Sequence, residues 1–430
     1  MRRKIEKALM AWKEKTDGRM PLIVNGARQV GKTYILRKFG EEQFKNIAYF
    51  NLETNLTVAS YFQDNISPER LLRYLEVASG EQIIPGETLI IFDEIQASER
   101  ALTSLKYFCE EAPQYHIAAA GSLLGVAINR ERYSFPVGKV ETITLAPLDF
   151  EEFLWARGKS ALCEIIRTSY DQMEPLPEAL HQEATELYRE YLLVGGMPAC
   201  INAFLQRGSF LDVTLVQNEI LNNYIADMAK YASPADSVKI RGCYNSIPAQ
   251  LAKENKKFQY KVVQKGGSAS LFGESIEWLN LAGIVLKCQR IDHAQEPISV
   301  YADLSAFKLY MGDVGLLTAK SGISQQTVLS GEGNTFMGAL TENYVAQQLA
   351  TKHYDLYYWE SKSTAELDFV LQKGNEIIGV EVKKGENVRS RSLNVFVNTY
   401  HPAYSIRFSL KNFGEKEGLK SVPLYAAFCV

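Results

Sequence analysis

Eight residues near the amino terminus, Gly26-Ala27-Arg28-Gln29-Val30-Gly31-Lys32-Thr33, constrain this chain more than any other segment. They follow a short apolar run at 21–25 and open a stretch of helical character at 32–39. A G-x-x-x-x-G-K-T loop between a strand and a helix is a phosphate cradle. The glycines let the backbone wrap an anion, and amide N–H groups and the positive helix end face its oxygens. Lys32 can reach the β- and γ-phosphates, and the Thr33 hydroxyl is placed for Mg²⁺. ATP with Mg²⁺ is therefore the expected ligand of residues 26–33.

A second segment supports this. Thr88-Leu-Ile-Ile-Phe-Asp93-Glu94 reads as a buried strand ending in two carboxylates. In open α/β sheets ligands sit in the crevice outside the carboxyl ends of the strands. Asp93 suits the Mg²⁺ shell, and Glu94 is the candidate base that polarises an attacking water, so hydrolysis is expected as well. Ser122 follows a fourth apolar run at 116–120. It has two readings, a γ-phosphate contact beside the Asp-Glu pair or an ordinary helix N-cap. Further strands are expected at 47–52 and 140–145, with helices at 68–78 and 101–110. That alternation implies a parallel sheet covered on both faces.

The rest of the chain is too long for one core, since 430 residues suggest about two to four domains. A net charge of −3 gives no global attraction to nucleic acid, so any such binding needs a local patch. The six cysteines are scattered without a Cys-x-x-Cys pair, and the five histidines are dispersed. This argues for free thiols in a reducing compartment and against a His/Cys metal site. Charges interrupt the first residues too often for a signal peptide, and no apolar run reaches membrane-helix length. A cytoplasmic protein without membrane contact is expected.

The predicted division is 1–148, a P-loop core; 149–235, mostly helical; 236–307, helices followed by a hairpin at 284–290 and 298–302, which suggests a winged helix; and 308–430, a separate α/β unit. The basic stretch 253–265, with Phe258 and Tyr260 among its lysines, either contacts phosphates beside a stacking surface or is a solvated connection.

The last segment carries Glu366-Leu-Asp368 and then Glu381-Val-Lys383. Asp…Glu-x-Lys is the constellation of metal-dependent nucleases. Asp368 and Glu381 on neighbouring strands could share Mg²⁺, and Lys383, on the face of Glu381, could stabilise the attacking water. Glu342 on the preceding helix could add a third carboxylate. The bland alternative is a solvated strand face.

An ordered set of motifs points to a family. Besides the segments above, it includes Gly121-Ser-Leu-Leu124, Pro147-Leu-Asp-Phe-Glu-Glu-Phe153, Gly195-Gly-Met-Pro198, Lys308-Leu-Tyr-Met-Gly-Asp-Val-Gly-Leu316 and Leu340-Thr-Glu-Asn-Tyr-Val345. Together they resemble prokaryotic AAA-type ATPases that carry a C-terminal domain of unknown function. The resemblance implies an AAA-like parallel sheet, a helical lid, a winged helix and a C-terminal α/β domain similar to the PD-(D/E)xK restriction-endonuclease fold. Many relatives have Gly-Arg where this chain has Gly138-Lys139, which puts a trans-acting arginine finger in doubt; Arg130 and Arg132 lie nearby. The expected function is ATP binding and hydrolysis that controls a DNA-binding or nuclease-like C-terminal module, possible also in a homo-oligomer. The alternative is a nucleotide-dependent switch or scaffold whose C-terminal domain is inactive and docks protein.

Overall fold

A computed structural model describes residues 1–122, 135–331, 334–361, 365–385 and 390–430. The chain divides into two units, one of Arg2–Ala146 with Leu281–Gly283, the other of Pro147–Asn280 with Ile284–Val430 and Met1.

In the first unit the apolar runs at 22–25, 88–93 and 116–120 become the inner strands, covered on both faces. β1 (Leu22–Asn25), β2 (Asn46–Asn51), β3 (Thr88–Asp93), β4 (His116–Ala120) and β5 (Glu141–Thr144) form a sheet in the order β2-β3-β4-β1-β5. Every pairing is parallel. All residues of β3 and β4 are buried, as a central strand between helical layers requires. β4 lies between β1 and β3, so the loop after β1 and the acids after β3 flank the residue after β4. Helices Lys32–Gln43, Pro68–Ser79 and Glu99–Glu111 match the expected amphipathic stretches.

The second unit begins with helices, among them Phe150–Ala156, Glu178–Val194, Phe210–Tyr231, Pro234–Leu251 and Ala269–Leu281. It then builds one eight-stranded mixed sheet. The strands are β6 (Val285–Ile291), β7 (Ala302–Met311), β8 (Tyr357–Glu360), β9 (Glu366–Lys373), β10 (Glu376–Val382), β11 (Ser405–Ser409), β12 (Gly414–Lys416) and β13 (Leu419–Pro423). Their order is β12-β13-β11-β10-β9-β8-β6-β7.

The expected boundary between 307 and 308 falls inside β7, and the hairpin continues the C-terminal sheet through a parallel β6–β8 pairing. The expected strand at 298–302 is a 3₁₀ turn, Ile298–Tyr301, with the strand after it. Lys308 hid this strand from the pattern, since a charge stands inside a run whose last six residues are all buried.

Several quoted motifs turn out to hold this unit together. Asp313 is buried and accepts from the N–H groups of Gly196 at 2.6 Å and Leu316 at 3.0 Å, and from Gln347 Nε2 at 3.3 Å. A Cβ on Gly195 would stand 2.3 Å from Asp313 Oδ1, and one on Gly315 would meet Gly195 at 2.6 Å. Two backbones touch there, so both positions exclude a side chain. Gln347 also donates to Tyr191 Oη at 2.9 Å. The segments around 195, 313 and 343 therefore meet at one buried carboxylate.

Candidate functional site

The loop after β1 has the geometry its glycines imply. Gly26 sits at φ +142°, and a Cβ there would come within 2.1 Å of the Leu145 carbonyl. Gly31 and Gln29 also take left-handed φ values, +96° and +67°. Ala27 and Val30 are buried. The turn delivers Lys32 as the first residue of its helix, with Nζ donating to the carbonyls of Gly26 at 2.9 Å and Ala27 at 2.8 Å. Lys32 is 6% exposed, and this desolvation pulls its pKa down to about 8 against the upward pull of Glu94 and Asp93; Arg28 adds to the lowering.

Thr33 Oγ1 donates to Asp93, 3.1 Å from Oδ1 and 3.0 Å from Oδ2. Two oxygens bound side by side on an octahedral ion at about 2.1 Å stand about 3 Å apart, so this pair fits adjacent Mg²⁺ ligands. Asp93 also accepts from Tyr49 Oη at 2.7 Å and from the Glu94 N–H at 3.1 Å. Burial and the bond to Asp93 push the Tyr49 phenol up to about 12. Glu94 holds a left-handed φ of +50°, and its carboxylate accepts from Gln96 Nε2. A non-glycine residue there is strained, a feature that clusters at functional sites. Ser122 is buried at the end of β4.

Sequence reasoning assigned no role to Tyr49, Gln96 or Arg37, whose guanidinium lies 5.1 Å from the Tyr49 ring centre. Gln96 stands within a quoted motif, and Tyr49 lies two residues before the strand-end pair Asn51–Asp93. Lys139 pairs with Glu110 at 2.9 Å on the surface. Arg130 and Arg132 lie outside the described residues.

In the second unit the carboxylates do not assemble as expected. No group of three or more His, Cys, Asp or Glu side chains among the described residues is arranged to hold a metal ion. Glu342, 2% exposed, is engaged by Lys256 Nζ, by Lys308 Nζ at 3.1 Å and by Tyr310 Oη. Lys308 is itself fully buried and also pairs with Glu366 at 2.5 Å. Burial would raise the Glu342 pKa, but Lys256 and Lys308 overrule it and hold the carboxyl near 2. Burial would lower Lys308, but Glu342, Glu366 and Asp368 keep it charged.

Asp368 accepts the Val382 N–H at 2.7 Å, and burial and the Glu342 charge push it up to about 6. Glu381 pairs with Lys383 at 3.0 Å, its other oxygen buried without a partner. Alternation along β10 gives Glu381 the face of Gly379, where a Cβ would abut Phe396 of the helix Arg391–Tyr400. Lysine ammonium groups thus stand where the sequence pattern anticipates a metal, and Glu342, Asp368 and Glu381 do not fit one shared ion.

The basic stretch also changes meaning. Phe258 is buried and stacked on Phe307 at 5.5 Å and 17°, and Lys256 is the partner of Glu342. Neither is available as expected for a nucleic acid.

Residues 18–154 match the family described as AAA domain. Residues 185–327 and 337–427 match two families described only as domains of unknown function, DUF8612 and DUF4143. The N-terminal unit is thus a P-loop domain of the AAA ATPase type. Uncharacterised proteins of Mycobacterium tuberculosis and Mycobacterium bovis are each 37% identical over 79 residues, 18% of this chain and 18% of theirs. The chain thus matches under a fifth of the length of these curated relatives.

Among solved structures, a Walker-type ATPase of Pyrococcus abyssi aligns at 16% identity and TM-score 0.45, covering 74% of this chain and 95% of its own. The Aeropyrum pernix ORC2 protein, in ADPNP–ADP complexes, aligns at 12% identity and TM-score 0.37, over 81% and 94%. Likenesses this distant transfer no substrate or partner. None of the six cysteines is in a disulfide, and among the described residues no helix is long and apolar enough to cross a membrane.

Proposed function

We propose that the chain binds and hydrolyses ATP with Mg²⁺, and that nucleotide state sets the binding behaviour of a C-terminal module that is not a metal nuclease. The observation that carries the first part is the Thr33–Asp93–Glu94 arrangement beside the Lys32 loop. Bound Mg²⁺ would neutralise charge between the β- and γ-phosphates. Thr33 and Asp93 supply its protein oxygens, and the Tyr49 hydroxyl and the Glu94 N–H fix the Asp93 carboxylate. Lys32 presents its ammonium to the phosphates in place of its own loop carbonyls. Glu94, steadied by Gln96, accepts the proton of the attacking water.

The second part rests on Lys256 and Lys308. With two ammonium groups on Glu342, a divalent ion would have to displace a fully buried lysine. This favours a switch or scaffold over a DNA-cutting enzyme. The test is ATP turnover together with cleavage of labelled duplex DNA, single-stranded DNA and RNA in Mg²⁺ and Mn²⁺. Turnover that Glu94→Gln abolishes, without cleavage, is the expected result. Cleavage lost on Asp368→Ala would refute the second part and restore a nuclease.

A further inference from the structure

Arg3, two residues before the helix Ile5–Lys13, is a charged side chain that the nucleotide chemistry above leaves unused. It is buried, at 7% exposure. Its guanidinium donates from Nη1 to the Val30 carbonyl of the phosphate loop at 3.2 Å, and from Nη2 to the Ala146 carbonyl at 2.7 Å. Both anchors of this fork are fixed. Ala146 follows Leu145, whose N–H bonds at 2.8 Å to the carbonyl of Asn25, the last residue of β1. The helix that carries Arg3 buries Ile5, Leu9 and Trp12. It is tied to the P-loop unit by Trp12 Nε1 on the Met20 carbonyl at 2.8 Å, Lys13 Nζ on the Gln43 carbonyl at 2.6 Å and the Lys38–Glu6 ion pair at 2.9 Å.

The Val30 carbonyl matters because of what shares its peptide plane. In a planar trans peptide the C=O of Val30 and the N–H of Gly31 point in opposite directions. A hold on the Val30 oxygen therefore aims the Gly31 N–H the other way, into the loop, where such amides cradle phosphates. The loop needs a hold of this kind. Gly31 at φ +96° and Gln29 at φ +67° both lie in the left-handed region, which is strained for the glutamine. Lys32, which binds the Gly26 and Ala27 carbonyls, has to turn to the phosphates when ATP arrives. Arg3 grips the side of the peptide away from the ligand, so its contact persists with nucleotide bound.

We propose that Arg3 is a positioning residue for ATP: it clamps the Val30–Gly31 peptide in its phosphate-binding orientation, with Ala146 as a fixed abutment. This rests on the reading of residues 26–33 as the ATP site. Arg3 acts through the loop and not on the nucleotide.

The test measures binding of Mg²⁺-ADP and Mg²⁺-AMPPNP, a non-hydrolysable ATP analogue, to the full-length protein by calorimetry, with steady-state ATP turnover and melting temperature alongside. Arg3→Ala should weaken both nucleotides at least about tenfold, as loss of a hydrogen bond from a charged group requires. Both are affected because the loop amides hold phosphates that the two nucleotides share. KM should rise by more than kcat falls, since Arg3 orients a binding contact and moves no proton. Arg3→Lys keeps the charge without the planar fork, so it should recover only part of the affinity, and it serves where Arg3→Ala melts early. Trp12→Phe loosens the same helix without touching the loop; it should lower the melting temperature and leave affinity intact. Equal weakening by Trp12→Phe and Arg3→Ala would mean that only docking of the helix matters, and would overturn the proposal. Wild-type affinity in both Arg3 variants would do the same. A wild-type protein that binds neither nucleotide would instead overturn the reading of residues 26–33 as an ATP site, and the role of Arg3 with it.

Discussion

Lys32 gives the sharpest prediction. Its ammonium is almost wholly desolvated and titrates near 8 rather than at the ordinary 10.5. A triphosphate beside it supplies negative charge that restores the protonated form. The bound state then holds a proton that the free state loses above pH 8. Affinity should be flat below pH 8 and fall as pH rises toward the bound-state pKa. If only the protonated form binds, the ratio of affinities at pH 7 and pH 9 is about tenfold, or roughly 1.4 kcal/mol. Calorimetry in buffers of different ionisation enthalpy should show uptake of about 0.9 proton per ATP at pH 9 and about 0.1 at pH 7. The free protein should show the opposite trend, because a lysine depressed on folding makes stability rise with pH between its folded and unfolded values. An affinity unchanged from pH 7 to 9, with no proton uptake, would refute the assignment of Lys32 as the desolvated phosphate ligand.

The remaining predictions follow from single contacts. Glu94→Gln should keep ATP affinity while slowing hydrolysis at least about 100-fold in a phosphate-release assay. Gly26→Ala forces a side chain onto the Leu145 carbonyl at a φ of +142° and should cost about 2–3 kcal/mol, seen as a lower melting temperature of the P-loop unit together with lost nucleotide binding. Lys308→Met strips the buried Glu342 of a partner and should lower the melting temperature by about 10 °C, while Lys308→Met with Glu342→Gln recovers part of that loss. Mn²⁺ binding followed by electron paramagnetic resonance should disappear with Asp93→Asn and be indifferent to Asp368→Asn.

How much was legible in the sequence varies with how local the physics is. The P-loop is almost wholly local: a tight loop, a strand before it and a helix after it are encoded within about a dozen residues, so residues 26–33 could be placed from pattern alone. The Asp93-Glu94 pair was nearly as plain, because a continuous apolar run ending in acids means a buried parallel strand with its end at the crevice. Tyr49 was not legible, since its role depends on β2 lying beside β3, which is a fact of sheet order.

The C-terminal carboxylates show the opposite case. Spacing could nominate Glu342, Asp368, Glu381 and Lys383, but spacing is blind to a charge arriving from elsewhere in the chain. Lys308 comes from β7 and Lys256 from a connection far upstream, and their charges decide whether Glu342 is a metal ligand or half of an ion pair. The sequence by itself determined the phosphate-binding loop, the two acids after β3 and the alternation that makes the first sheet parallel. Only the tertiary structure decided that the hairpin joins the C-terminal sheet, that Asp313 gathers three motifs, and that lysines neutralise the buried acid. Backbone cradles are set by neighbours in the chain, whereas charge compensation is set by neighbours in space.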